Sequence, residues 1–243
     1  MKNKRVFITI CILSFILIFS SKTFIIAQNK QGNFEEALSQ EGITPQEYDE
    51  VIPYYYKNPQ PKKIIPILKA VLTQEQFISD NIKFIPFAHL IAAIAYNNPN
   101  LLTELKGLKE NNLPVLQKER VQYIIEETEN YNSMLPDAPT PEDLDRYLWV
   151  DMHAPTRIDC LWSEFFATGD EKAVEKIISI LTYPAAKDKD FVIATKASAE
   201  WSLASNARQH KMVYEVIEKR VSSATGELKE KLENILKKAQ EPD

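Results

Sequence analysis

Apolar residues recur three and four positions apart along most of this chain, between start signals that only a helix uses. Thr44-Pro45-Gln46-Glu47 carries the hydroxyl, first-turn proline and returning carboxylate of a capping box, and Thr140-Pro141-Glu142-Asp143 repeats it with Asp in the reciprocal place. Ile64, Ile65, Leu68, Val71 and Leu72 form one stripe. Phe84, Phe87, Ala88, Ile91, Ala92 and Ala95 form another, which Asn97-Asn98-Pro99 ends. Leu101, Leu102, Leu105 and Leu108 predict a short helix ahead of Asn111-Asn112, and Val121, Ile124, Ile125 and Thr128 the next. No segment alternates cleanly between turn signals, so no strand is expected. Gly107, Gly169 and Gly226 stand at or near segment ends, where helices take left-handed caps.

The second half continues the pattern. Ile158, Leu161, Trp162, Phe165 and Phe166 line one helix, Thr168-Gly169-Asp170 breaks it, and Asp170 is placed to cap a return helix lined by Val174, Ile177, Ile178 and Leu181. Phe191 to Gln209 is rich in Ala and Ser, as befits an inner helix that neighbours approach closely. Met212, Val213, Val216 and Ile217 mark a further helix, and Leu228, Leu232, Ile235 and Leu236 the last. The charged residues of that last helix leave its other faces to solvent. The expected fold class is all-α, with antiparallel helical hairpins stacked as an irregular helical-repeat layer of the TPR or HEAT kind. The expected organisation is a leader over residues 1–27, a helical group over 28–135, a proline-rich acidic connector over 136–154, and helical hairpins over 155–243.

Leu161-Trp162-Ser163-Glu164-Phe165-Phe166-Ala167-Thr168-Gly169-Asp170, with Trp201-Ser202-Leu203-Ala204-Ser205-Asn206-Ala207-Arg208-Gln209-His210 downstream, resembles a poorly characterised family of exported bacterial α-helical proteins. Some of its members are labelled translation-initiation-factor-like. The resemblance spans roughly residues 140–240. It implies a helical, repeat-like fold and supplies no catalytic residue. Relatives often place a proline after the His210 position, where this chain has Lys211, so the turn there is expected to be less sharp.

The start of the chain bears on location. Met1-Lys2-Asn3-Lys4-Arg5 is basic, Val6 to Ser20 is an uncharged apolar run, and Ala27 is small enough to precede a cut before Gln28. The run is shorter than the roughly 20 residues of a membrane span, which favours a cleaved secretory signal over a retained anchor on residues 6–20. This leader holds four of the 29 basic residues and none of the 34 acidic ones, so its removal leaves 25 against 34, a formal net charge of −9 in place of −5. A surface of that sign repels phosphate backbones, so nucleic acid is not an expected partner. With no Gly-rich loop in the sequence, no phosphate cradle is expected either. Cys11 leaves with the leader and Cys160 remains single, expected as a small buried side chain.

Candidate chemistry is sparse. Asp143, Asp145, Asp151, His153 and Asp159 are the densest polar constellation, and Asp151, His153 and Asp159 could serve a hard cation or acid–base work. The competing reading is a solvated connector that caps the helix near Pro155, because no ligand motif supports the cluster and no metal or other cofactor is expected. A Cys160–His153 nucleophile pair has no spacing that predicts contact. His89 lies beside an apolar stripe and is expected half-buried and hydrogen-bonded; His210 is expected to cap carbonyls at a helix break. Glu200, Asn206 and Arg208 are polar residues on an inner helix, read either as a structural ion pair or as the polar floor of a groove. Tyr54-Tyr55-Tyr56, on successive helical positions, cannot all face one core, which makes a tyrosine such as Tyr55 a candidate contact residue.

The expectation is an exported, non-catalytic binding or scaffold protein whose partner is a protein or peptide. The first alternative is a metal-dependent or hydrolytic enzyme using Asp151, His153 and Asp159. The second is a membrane-tethered envelope assembly factor, touching membrane only if the N-terminal segment is retained.

Overall fold

The structure is a computed structural model that describes residues 31–131, 154–183 and 190–241, and it is all-α, with no strand among the described residues. The helices are α1 (Gln31–Gln40), α2 (Pro45–Val51), α3 (Pro61–Leu72), α4 (Glu75–Ile78), α5 (Asn81–Tyr96), α6 (Pro99–Glu110), α7 (Val115–Glu129), α8 (Ala154–Thr168), α9 (Glu171–Ile180), α10 (Asp190–Gln209), α11 (Lys211–Ser223) and α12 (Gly226–Gln240). They fall into two compact units. One holds residues 31–131 with Ser163–Gly169; the other holds residues 154–162, 170–183 and 190–241.

In the first unit local chemistry sets the ends of the helices. At the end of α1, Gly42 takes φ +74°, so its N–H reaches the Ser39 carbonyl and the Ile43 N–H reaches that of Leu38. Ile43 and Leu38 are both buried, completing the hydrophobic contact of this Schellman turn. Thr44 then opens α2. Its hydroxyl accepts the Glu47 N–H at 3.1 Å, and the Glu47 carboxylate accepts the Thr44 N–H at 2.8 Å. Lys63 reaches the same carboxylate at 2.8 Å and the Thr44 hydroxyl donates to it at 3.0 Å; that ammonium, with the Thr44 N–H and hydroxyl, holds Glu47 down at about 2. Helix α1 packs on α3, α3 on α4 and α6, and α5 takes α4, α6 and α7. Every residue of α5 from Pro86 to Ala95 is buried, as a helix apolar on all sides must be.

The second unit is arranged around α10, which touches α9, α11 and α12. Its small side chains permit this: Thr195, Ala199, Ser202, Leu203, Asn206 and Ala207 are buried. Asp170 caps α9, accepting the Lys172 N–H at 2.9 Å. In α12, Leu232 and Ile235 face inward while Glu230, Glu233 and Lys237 stay exposed.

Several local expectations are revised. Gly107 lies inside α6, which runs on to Glu110. Gly226 is left-handed at the start of α12 rather than at a helix end. In α3, Ile67 is buried and Ile65 only half so, because Ile67 completes the spacing set by Ile64, Leu68 and Val71. Tyr54-Tyr55-Tyr56 forms a turn after α2, not a helix, with Tyr55 buried and its neighbours half-buried. The Thr140 box, and with it Asp143, Asp145, Asp151 and His153, lies outside the described residues.

Candidate functional site

The ionisable groups that the fold brings together most closely lie in the first unit, around His89. Helix α5 is buried on all sides, so any polar side chain in its middle must find a partner inside the protein. His89 is that side chain, and it is 4% exposed, not half-buried. Helix α7 buries Val121, Ile124, Ile125 and Thr128 against its neighbours, which leaves Glu127 on the flank of that stripe. Glu127 and Tyr131 are four residues apart, so both project from the same side of this segment. Helix α8 supplies Glu164 from its last turns, buried with Phe165 and Phe166 beside it.

These side chains converge on the imidazole from two directions. Nδ1 of His89 lies 3.8 Å from a Glu127 carboxylate oxygen. Nε2 lies 3.3 Å from an oxygen of Glu164 without a hydrogen bond, a contact that becomes an ion pair when the imidazole is protonated. The Tyr131 hydroxyl donates to that same Glu164 oxygen. Thr168 donates to the Glu164 carbonyl at 2.8 Å, and its hydroxyl sits 3.5 Å from the other carboxylate oxygen. Tyr96 covers Tyr131 with ring centroids 4.8 Å apart, and is itself 41% exposed. Burial alone would strip the proton from His89; the carboxylates of Glu127 and Glu164 outweigh it, and the imidazole's pKa lies above its usual value.

The arrangement suits a buried ion cluster better than a metal centre. A metal needs donors aimed at one point, and here the two carboxylates sit at opposite ends of one ring. Among the described residues no group of three His, Cys, Asp or Glu side chains is arranged to hold a metal ion. Nor does the groove lined by Lys109, Lys118, Glu119, Arg120 and Glu126 present a free guanidinium. Arg120 donates to the Ile78 carbonyl at 2.6 Å and to Asn81 at 2.8 Å, and lies over the Phe84 ring.

The residues singled out from the sequence do not form one site. Asp151 and His153 lie outside the described residues. Asp159 is buried in α8, and desolvation pushes its carboxyl well above the usual range, toward the neutral acid. Cys160, next to it, is a buried thiol. Tyr55 is 3% exposed, and burial raises its phenol. Glu200 pairs with Lys238 of α12 at 2.9 Å, and Arg208, exposed, donates to the Lys238 carbonyl at 2.9 Å. Asn206 is buried and donates back to the Ser202 carbonyl at 2.9 Å. His210 is the buried N-cap residue of α11; its side chain takes no N-cap bond from that helix, and its backbone N–H donates to the Asn206 carbonyl at 2.7 Å.

The sequence signal for the His89 cluster was there in part. A lone ionisable residue inside the apolar run Phe84 to Ala95 demands a buried partner of opposite charge. Which residues supply it is a matter of tertiary packing, since Glu127 and Glu164 are 38 and 75 positions away.

Among the described residues no helix is long and apolar enough to cross a membrane. Compared with known proteins, the chain matches no family model, no curated protein and no solved structure.

Proposed function

We propose that this chain is an exported, non-catalytic binding or scaffold protein of helical-repeat type, and that its partner is a protein or peptide engaged by the outer face of α10. The observation that carries the reading is an exposed apolar strip: Ile193 is 61% exposed and Trp201 41%, with exposed Ala197 between them at helical spacing. Large apolar side chains grouped on one face of a helix mark contact surfaces more often than lone ones do. Glu200 and Arg208 fall on the same face, so the strip has a charged edge of both signs. The ionisable groups in the interior, by contrast, are turned on one another around His89 or are buried like Asp159. Export rests on the basic start, the apolar run and Ala27, together with the resemblance to exported helical proteins.

A photo-crosslinking side chain at position 201 tests the surface in cells that make the full-length protein. The expected result is a discrete adduct at 201, absent when the same group stands at Glu230, and lost when Ile193→Asp is added. Equal labelling at 201 and 230 would remove the α10 face from consideration. The enzyme alternative predicts a tight metal site. Calorimetry with Zn²⁺ or Ca²⁺ is expected to show only weak binding, screened by about 0.15 M salt and unchanged by Asp151→Ala with His153→Ala. A stoichiometric site abolished by that pair of changes would overturn the metal-free reading and put the enzyme alternative ahead.

A further inference from the structure

We propose that His89, clasped between Glu127 and Glu164, is a pH-operated latch that holds Ser163–Gly169 onto the unit built from residues 31–131. The argument begins with the ring itself. A neutral imidazole carries one N–H and one lone pair. Here both nitrogens face carboxylate oxygens, at 3.8 Å and 3.3 Å. Whichever tautomer forms, one nitrogen without a proton stands within 3.8 Å of a carboxylate oxygen in buried surroundings. Only the imidazolium attracts both sides at once, so its second proton is what joins α7 to the end of α8. The groups facing the ring are few. They are Glu127 from α7, Tyr131 from the turn after it, and Glu164 from α8, where Thr168 sits behind the carboxylate. Helices α4 and α6 also pack on α5, and among the described residues neither brings a charge to His89.

Two further ties of the segment do not titrate near neutral pH. The Tyr56 N–H donates to the Phe166 carbonyl at 2.9 Å, and the Tyr56 ring packs on Phe165 at 4.9 Å. These hold the segment in place once the proton leaves, so the latch loosens it and does not expel it. The direction follows from the raised pKa. A histidine bound more tightly to its proton in the closed state contributes fully below its open-state pKa of about 6.5. That contribution disappears as pH rises through the higher closed-state value. Within that window, opening of the segment increases up to about tenfold per pH unit.

Amide hydrogen exchange of the full-length protein from pH 5.5 to 9, corrected for intrinsic rates, tests this. Protection of the Glu164–Gly169 amides is expected to fall by up to about tenfold per pH unit above about 6.5, while α11 and α12 keep theirs. The His89 ring resonances should titrate with a midpoint above 6.5. His89→Gln, neutral throughout, should give a flat profile. Glu127→Gln, which keeps the histidine and removes one carboxylate, should lower its midpoint and serves if the first variant does not fold. A flat profile in the unaltered protein, the same slope in His89→Gln, or a midpoint that Glu127→Gln leaves in place would each overturn the latch.

Discussion

Gly169→Ala and Gly42→Ala make a matched pair in which one added methyl group meets two different surroundings. Both glycines belong to the first unit, and their φ angles are nearly equal, +72° and +74°. An alanine in that region costs about 1–2 kcal/mol. Part of this is offset because alanine restricts the unfolded chain by about 0.4–1 kcal/mol. At Gly42 a Cβ meets nothing within 4 Å, so a net loss of about 1 kcal/mol is expected there from strain alone. At Gly169 a Cβ would stand 3.1 Å from Cδ2 of Tyr56 and 3.4 Å from its Cβ. That ring cannot simply swing away. It packs on Phe165 at 4.9 Å, and its backbone is tied to Phe166. Forcing it off its rotamer adds about 0.5–1.5 kcal/mol, giving about 2 kcal/mol in all. Urea unfolding read by far-ultraviolet circular dichroism and by exchange of the α5 amides compares the two variants in the same cooperative unit. Tyr56→Ala should erase the difference between them, a coupling of about 1 kcal/mol. Losses equal within about 0.3 kcal/mol at the two glycines would refute the contact argument, even if both variants are destabilised.

Three further outcomes follow from the same reasoning. Trp162→Ala should destabilise by about 3–5 kcal/mol, because the indole is fully buried beside Leu161 in α8; a loss under about 0.5 kcal/mol in chemical denaturation would place it outside the core. The Glu47 carboxyl should titrate near 2 by carbon NMR, so the stability it confers is present above its unfolded pKa of about 4.3 and lost as pH falls through 2. Lys63→Met should move that midpoint up toward 4.5, and a midpoint that does not move would show that Lys63 is not its cause. Replacing Ile12 and Leu13 with Arg should trap the full-length protein inside the cell, since charge in the apolar run is costly; unchanged export in a fractionation assay would remove the leader reading.

What could be read from the sequence is what is decided within a turn or two of helix. The Thr44–Glu47 box, the Gly169–Asp170 break and the buried Leu232 and Ile235 of α12 depend on residues at most four apart. The tyrosine turn escaped because helical spacing was extended past α2, into a stretch where Pro53 carries no N–H to continue the helix. The polar core escaped for a different reason. His89 alone announces a buried need for negative charge, and the run Ile158 to Ala167 offers two acids, Asp159 and Glu164. Five residues apart, they project about 140° from each other around α8, so a single imidazole can face only one of them. Burial does not choose between them, because Asp159 is 3% exposed and Glu164 5%. Packing chooses: Glu164 meets His89 and Tyr131, while burial pushes the Asp159 carboxyl toward the neutral acid. The same kind of side chain, on the same helix and equally buried, thus stands beside an imidazole in one place and has its pKa raised by burial in the other. At Glu164 the difference is made by residues 33 and 75 positions away, Tyr131 and His89, which no local pattern around α8 announces.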